Sequence, residues 1–384
     1  MKQSIPKNLV LIGGGHSHAI ALRLFGLNPL PGVNLTLITD CSHTPYSGML
    51  PGHVAGFYNF DECHIDLPHL CQFAQAQIYI DRAIGLDLEN HRVLCADRPA
   101  VTFNLLSIDI GSTPAKISVP GAADTRYAIP AKPVPQFLQA WNQLVSEVTT
   151  EGTKPIIIDI VGGGAGGVEL ALTMQQRLRK VIGRENVKIH LFHRSRELMN
   201  SHNLWVRQRL EKILLQRGIQ LHLQENVCEV KSGGVRCESG LTVECDRIFW
   251  VTQASAPSWL GESGLTTDSK GFILVEDTLQ SVSHRQVFAA GDIATMKNYQ
   301  RPKAGVFAVR QGKPLFENLQ QMLLGKSLKP YRPQQEILGL IGTGDGRAIA
   351  SRGNWGCGPS KLLWVWKDYI DRKFMRLFGD LPRT

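Results

Sequence analysis

The sequence predicts an α/β fold made of two parallel-sheet units and a small C-terminal α+β region. Three observations carry this. Two apolar, β-branched runs each lead straight into a glycine-rich turn and then a helix, and they stand about 150 residues apart. Short strands alternate with helical stretches around both, the pattern of strand–helix–strand crossovers. The last 50 or so residues instead read as a hairpin followed by one amphipathic helix.

A chain of 384 residues has room for two or three domains with full cores. Hydrophobic residues make up 43%, and no apolar run reaches membrane-spanning length. The first glycine turn begins a few residues after Met1, which leaves no room for a signal peptide, so a cytoplasmic location is expected. Eight cysteines are scattered without a C-x-x-C, a C-x4-C or zinc-ligand spacing, so reduced, mostly buried thiols and no metal site are expected. The net charge of +9 belongs to the tail. Residues 301–384 hold 15 Lys/Arg against 6 Asp/Glu, and residues 1–300 hold 27 of each. A basic tail suits an anionic surface. No nucleic-acid-binding motif accompanies it, so nucleic acid is not an expected partner.

Taken in order, residues 8–12 form a short apolar strand, and Gly13-Gly14-Gly15-His16-Ser17-His18 opens a helix. Gly13 and Gly15 fill the first two places of G-x-G-x-x-G, where one glycine permits the tight turn and the next lets the backbone approach a pyrophosphate. His18 stands at the third place, where a side chain should hold helix and strand apart or point aside. The next strand, 33–38, ends in Thr39-Asp40, and either residue is placed to meet a ribose hydroxyl; Asp40 has the better chemistry. The loop 42–52 carries Pro45 and Tyr46 and is too long for a plain connection. Residues 77–110 read as short strands ending in Asp109-Ile110-Gly111. Residues 130–135 hold three prolines and mark a crossing between domains.

The second unit is the more complete. Ile156 to Val161 is a buried parallel strand, Gly162, Gly164 and Gly167 complete the motif, and a helix is expected to begin near Val168. Its dipole and free N–H groups suit a pyrophosphate. The following strand, 188–192, ends in His193-Arg194-Ser195-Arg196 with no acid. A carboxylate there would select NADH by its 2′-OH, whereas cations suit the 2′-phosphate of NADPH; the alternative is a pair of solvated surface arginines. The chain leaves this unit near 253–256. An apolar strand then ends in Gly291-Asp292, and Pro302-Lys303-Ala304-Gly305 opens a helix to about residue 324. The tail has a hairpin, 337–352, and a helix over 361–378, about 27 Å long. Its apolar residues Leu362, Trp366, Ile370, Phe374 and Phe378 recur every four, and seven charges forbid spanning a bilayer. The helix suits the surface of a membrane, the protein itself or a homodimer interface.

Together the two glycine turns, Asp109–Pro114, Thr252–Ala254 and Ala289–Asp292 resemble the pyridine nucleotide-disulfide oxidoreductase superfamily over about residues 8–325. The missing dithiol makes the chain similar to the type II NADH dehydrogenase-like branch. His16-Ser17-His18, Tyr46–Gly52, Lys303–Gln311 and Trp366–Arg372 further resemble the flavoprotein module joined to selenide, water dikinase, here without a kinase domain. The resemblance implies two Rossmann-like three-layer dinucleotide-binding domains: FAD in residues 1–125 and 257–330, NAD(P)H in 126–256, and the C-terminal piece in 331–384. It implies that Gly13, Gly15, His16, Ser17, His18, Asp40, Pro45, Tyr46, Gly111, Gly291, Asp292, Lys303 and Ala304 serve FAD. Gly162, Gly164, Gly167, Glu169, His193, Arg194 and Arg196 would serve NAD(P)H, with NADPH favoured. Glu169 would orient the nicotinamide, unless it is only an acid suited to a helix start. Lys303 and the helix after it would stabilise reduced flavin. The expected reaction passes hydride to flavin and electrons on to a small acceptor, with a quinone the simplest choice, on the cytoplasmic face of a membrane. A selenium- or sulfur-compound oxidoreductase using Cys41, Cys63 or Cys71, and a non-catalytic redox sensor, are the alternatives.

Overall fold

The computed structural model describes residues 6–114, 119–122, 127–152, 154–252 and 254–382. The expected domain boundary at 125/126 and Gln253 of the second crossing lie outside the described residues.

The first sheet is built from β1 (Lys7–Ile12), β2 (Val33–Thr39), β3 (Gln77–Ile80) and β4 (Leu105–Ile108), with helix α1 (His16–Leu27) between the first two. The second sheet contains β5 (Ala128–Pro130), β6 (Ile156–Val161), β7 (Val187–His193), β8 (Gln220–Leu223) and β9 (Arg247–Trp250). Helix α2 (Val134–Glu151) precedes β6 and α3 (Ala165–Ile182) follows it. The chain then returns to the first sheet through β10 (Val287–Ala289) and helix α4 (Gly305–Leu323). The tail forms β11 (Gly339–Gly342), β12 (Ala348–Arg352), β13 (Trp355–Ser360) and helix α5 (Lys361–Gly379). The strand β13 makes this a three-stranded antiparallel sheet where a two-stranded hairpin was expected; its Gly/Pro-rich sequence hides it.

The first sheet has the order β10-β4-β1-β2-β3 and the second β5-β9-β6-β7-β8, with every pair parallel. In each, the strand before the glycine turn is central, so the turn lies where strand order reverses, the place open sheets bind ligands. Helices cover both faces of such sheets, which is why Leu9 to Ile12 and Ile158 to Val161 are buried without alternation. Each such aliphatic side chain contributes about 1.5–3 kcal/mol. The two crossing segments pair with each other as short antiparallel strands, Thr113–Pro114 with Ala254–Ser255. Helix α4 lies on α1 so closely that a Cβ on Gly312 would come within 2.6 Å of Ile20.

One core residue breaks the apolar rule. Asp159, in the middle of β6, is fully buried, and among the described residues neither carboxylate oxygen has an N–H or O–H partner, only the Cys245 thiol nearby. Burial pushes its carboxyl up to about 7, against a weaker pull down from Cys245. Between about pH 4 and 7 the folded chain therefore holds a proton that the unfolded chain has lost, so this residue's contribution falls as pH rises through that window. Asp159→Val is expected to stabilise the fold by roughly 1–3 kcal/mol at pH 8 and by less at pH 5. Urea unfolding at the two pH values checks this; equal gains would refute the assignment.

Candidate active site

Gly13 adopts φ +89°, and a Cβ there would meet the Asp109 carbonyl at 2.4 Å. Its N–H donates to Ile38 (2.7 Å), and the N–H of Gly15 donates to the Asp109 carbonyl (3.1 Å). These bonds tie the turn to β2 and β4. His18, the departure from the motif, is fully buried in α1. Its Nδ1 is 2.7 Å from the Gly13 carbonyl and its Nε2 is 2.8 Å from the Ser107 hydroxyl of β4. Burial lowers its pKa to about 4, so the ring is neutral. The imidazole thus replaces the close helix–strand contact of a glycine with two hydrogen bonds.

A residue that sequence reasoning did not single out lies at the centre of this turn. The Asp109 carboxylate accepts from the N–H groups of Ser17 (2.8 Å) and His18 (3.1 Å). It fits only because Gly15 and Gly291 lack a Cβ, each of which would come within 2.4 Å of it. Burial pushes it up to about 7, with the two amides pulling down and Asp292 adding to the rise. Its place immediately after β4, at the switch point of the sheet, was the available signal.

Around the turn, Asp40 is exposed just past β2, whereas Thr39 is buried with its hydroxyl donating to the Cys41 carbonyl (3.2 Å). Asp40 is therefore the more open of the two, with the Cys41 thiol beside it. His16 bonds the Pro45 backbone and is held near pKa 4 by burial, and its Nε2 is buried without a partner. The Tyr46 ring stands edge-on to His16 at 5.5 Å. Gly111 adopts φ +70° with open space beside it. Asp292 accepts from Lys132 (3.0 Å) and Ser112 (3.4 Å), and Lys132 also donates to Ser112 (2.6 Å). Lys132, in the proline-rich crossing, is a second residue that the motifs did not point to.

Helix α4 begins at Gly305 with Ala304 as its cap, so Lys303 precedes the helix rather than opening it. Its ammonium donates to the Ala294 carbonyl (2.6 Å) and the Thr295 hydroxyl (2.9 Å), and lies 4.1 Å from the Phe272 ring centre. Burial lowers its pKa to about 8. These contacts commit the charge to its own loop.

In the second unit α3 begins at Ala165, three residues earlier than the glycines suggested, and Gly164 caps it with no side-chain hydrogen bond. Gly164 has open space beside it. A Cβ on Gly167 would come within 1.8 Å of the Gly162 carbonyl, so helix and turn are in direct contact. Gly162, at φ +129°, leaves no room for a Cβ against Val251. The N–H of Gly163 donates to His193 Nδ1 (3.2 Å), which keeps that ring neutral, and burial lowers its pKa. Arg194 and Arg196 are exposed past the end of β7, and neither has an ion-pair partner among the described residues. Open space, an uncapped helix start and two free guanidiniums fit a dinucleotide phosphate.

The profile of pyridine nucleotide-disulphide oxidoreductases matches residues 7–312. The chain belongs to that family. The family member is a flavoprotein oxidoreductase that takes FAD and NAD(P)H. It is similar to the NADH dehydrogenase-like protein YutJ of Bacillus subtilis (24% identity, 94% of this chain and 99% of that one). It is also similar to the demethylphylloquinone reductase NdbB of a Synechocystis strain (25% identity, 76% and 71%). The fold matches NDH2 of Plasmodium falciparum in complex with NADH at a TM-score of 0.83, with 12% identity and 98% and 97% coverage.

The tail of this oxidoreductase reaches back to both turns. Glu169, in the first turns of α3, accepts from the Gly342 N–H (2.7 Å). Burial pushes it up to about 7, while Lys367 pulls it down. Lys367 and Asp371 of α5 are only 6% and 5% exposed and form an ion pair at 2.6 Å. Lys367 also donates to the Gly48 carbonyl, and the Asp371 carboxylate stands beside the Tyr46 hydroxyl. Tyr46 packs on Phe374 at 4.4 Å. The amphipathic reading of α5 is corrected here. Its inner face is Lys367, Asp371, Phe374 and Phe378, whereas Leu362 (82% exposed), Val365, Trp366 and Tyr369 face outward. The charges turn inward because the Tyr46 loop offers them partners.

All eight cysteines are free, and burial pushes the Cys63 and Cys71 thiols up to about 12 and raises Cys41 as well. Such thiols are poor nucleophiles at neutral pH. Among the described residues no cluster is suited to a metal ion.

Proposed function

We propose that this chain is an NAD(P)H dehydrogenase, preferring NADPH, that passes electrons through FAD to a quinone at a membrane surface. The observation that carries the reading is convergence: the C-terminal piece holds the Tyr46 loop of the first unit through Lys367 of α5 and Glu169 of the second through Gly342 of β11, with the Lys367 charge also felt at Glu169. Hydride transfer needs the two reactive rings in contact, which asks the two dinucleotides to meet between the two turns. The quinone-reducing relative supports the acceptor class.

FAD supplies the hydride-accepting ring when bound. The turn that Gly13 and Gly15 shape would face its pyrophosphate, Asp40 would accept from a ribose hydroxyl, and Ser112 and Asp292 would face the cleft. Gly111 and Gly291 let the backbone approach. His16 offers an unused ring nitrogen. The start of α4 at Ala304 places a dipole end toward this cleft, and Lys303 braces that loop. In the second unit the open space at Gly164 would take the NADPH pyrophosphate on a turn shaped by Gly162 and Gly167, Arg194 and Arg196 would take the 2′-phosphate, and Glu169 would meet the nicotinamide end.

The outward stripe of α5, flanked by the exposed Lys361, Lys373 and Arg376, suits an anionic lipid surface. Among the described residues no helix is long and apolar enough to cross a membrane. The test is anaerobic. NADPH is expected to bleach the bound flavin, and a water-soluble quinone to restore its colour. No bleaching by either nicotinamide cofactor would sink the proposal.

A further inference from the structure

Reducing a quinone to its quinol takes two electrons and two protons. The reduced nicotinamide supplies both electrons and one proton as hydride, so one proton must come from elsewhere. Resting on the quinone-reductase reading, we propose that Tyr46, Asp371 and Lys367 deliver that proton to the acceptor.

The first argument is burial. An ion pair on the last helix of a chain is ordinarily solvated, since taking both charges out of water costs several kcal/mol per ion before pairing. Here Lys367 and Asp371 are almost fully covered, while apolar Leu362, Val365, Trp366 and Tyr369 on the same helix stay exposed. Packing alone would put those groups the other way round. Charged groups buried at such cost are candidates for chemistry.

The second argument is placement. The series runs from Lys367 Nζ to Asp371 Oδ2 (2.6 Å), and the Tyr46 hydroxyl stands beside the same carboxylate, on a ring held 4.4 Å from Phe374 of the same helix. Its phenol end lies on the loop that packs against both His16, in the first turn of α1, and Gly305, at the start of α4, where a Cβ would meet Ser47 at 2.4 Å. Its ammonium end acts on Glu169 of the other unit. The charged groups around the path are Glu169 from α3, and Asp368 and Arg372 from α5, which bond each other; Arg372 also bonds Glu62, and Asp368 accepts from Tyr58. The path thus runs between the two dinucleotide turns.

The step balances simply. The Tyr46 O–H bond breaks as the proton passes to the acceptor oxygen that has gained the electrons. The phenolate recovers a proton from the Lys367 ammonium through the Asp371 carboxylate. Lys367 is reprotonated from solvent. Burial and the Asp371 charge keep the phenol protonated between turnovers.

The experiment compares a quinone, which needs the proton, with ferricyanide, which takes only electrons. Tyr46→Phe and Asp371→Asn holoenzymes are expected to lose at least tenfold more rate with a water-soluble quinone than with ferricyanide, within the usual range for a general acid. A second readout needs no cofactor. In the cofactor-free chain, Asp371→Asn is expected to bring one tyrosine into titration at lower pH, followed by absorbance near 295 nm, and Tyr46→Phe to abolish that change. Equal losses with both acceptors, or a titration unchanged by Asp371→Asn, would overturn the relay. A wild-type protein that reduces ferricyanide but no quinone would instead overturn the quinone reading on which it rests.

Discussion

Replacing Arg194 and Arg196 together by alanine is expected to weaken NADPH binding by two or more decades and to change NADH binding by less than about threefold. Each charge-assisted hydrogen bond to a phosphate is worth roughly 1.5–3 kcal/mol, or about one to two decades. Both guanidiniums are exposed, unpaired among the described residues and sited where β7 ends beside the open start of α3. NADH has no 2′-phosphate to lose. Titration of each nucleotide against wild type and double variant gives the four constants needed. Equal weakening of both would show that the arginines act on the shared pyrophosphate or on the fold.

The second large effect falls on stability. Asp371→Leu leaves the Lys367 ammonium buried without its carboxylate, and removal of one partner of such a pair costs about 3–5 kcal/mol. The double substitution Lys367→Met with Asp371→Leu is expected to recover most of that loss, since apolar groups of similar volume need no partner. Denaturant unfolding of the three variants closes the cycle. Recovery by the double variant, joined to slow quinone turnover, would separate the pair's chemical role from its structural one. A double variant as unstable as the single one would place the cost in lost packing against Tyr46 and Gly48 instead.

The glycine turns were legible because their chemistry is local. Gly167 must be glycine because of the Gly162 carbonyl five residues before it, Gly162 sits at φ +129°, and the strand and helix flanking them announce themselves by composition. What escaped reading was set by distant partners. Asp109 matters because Ser17, His18 and Gly291 surround it, from 92 positions before it to the far end of the first sheet. Lys132 is defined by Asp292, 160 residues on. Helix α5 misled for a related reason: its periodicity describes two faces correctly but does not say which is inside, and only the Tyr46 loop decides that. Lys303 shows the converse, where a charged residue in a matching motif spends its ammonium on nearby backbone.

The double character of α5 bears on how this oxidoreductase can be handled. A preparation that clings to lipid invites trimming of its last helix to gain solubility. Here trimming would take Lys367, Asp371 and Phe374 away with the greasy stripe, uncovering Tyr46 and the backbone of Gly48 at once. Polar replacements at Leu362, Val365, Trp366 and Tyr369 reach the same end without that loss, because these side chains point away from everything the helix holds in place.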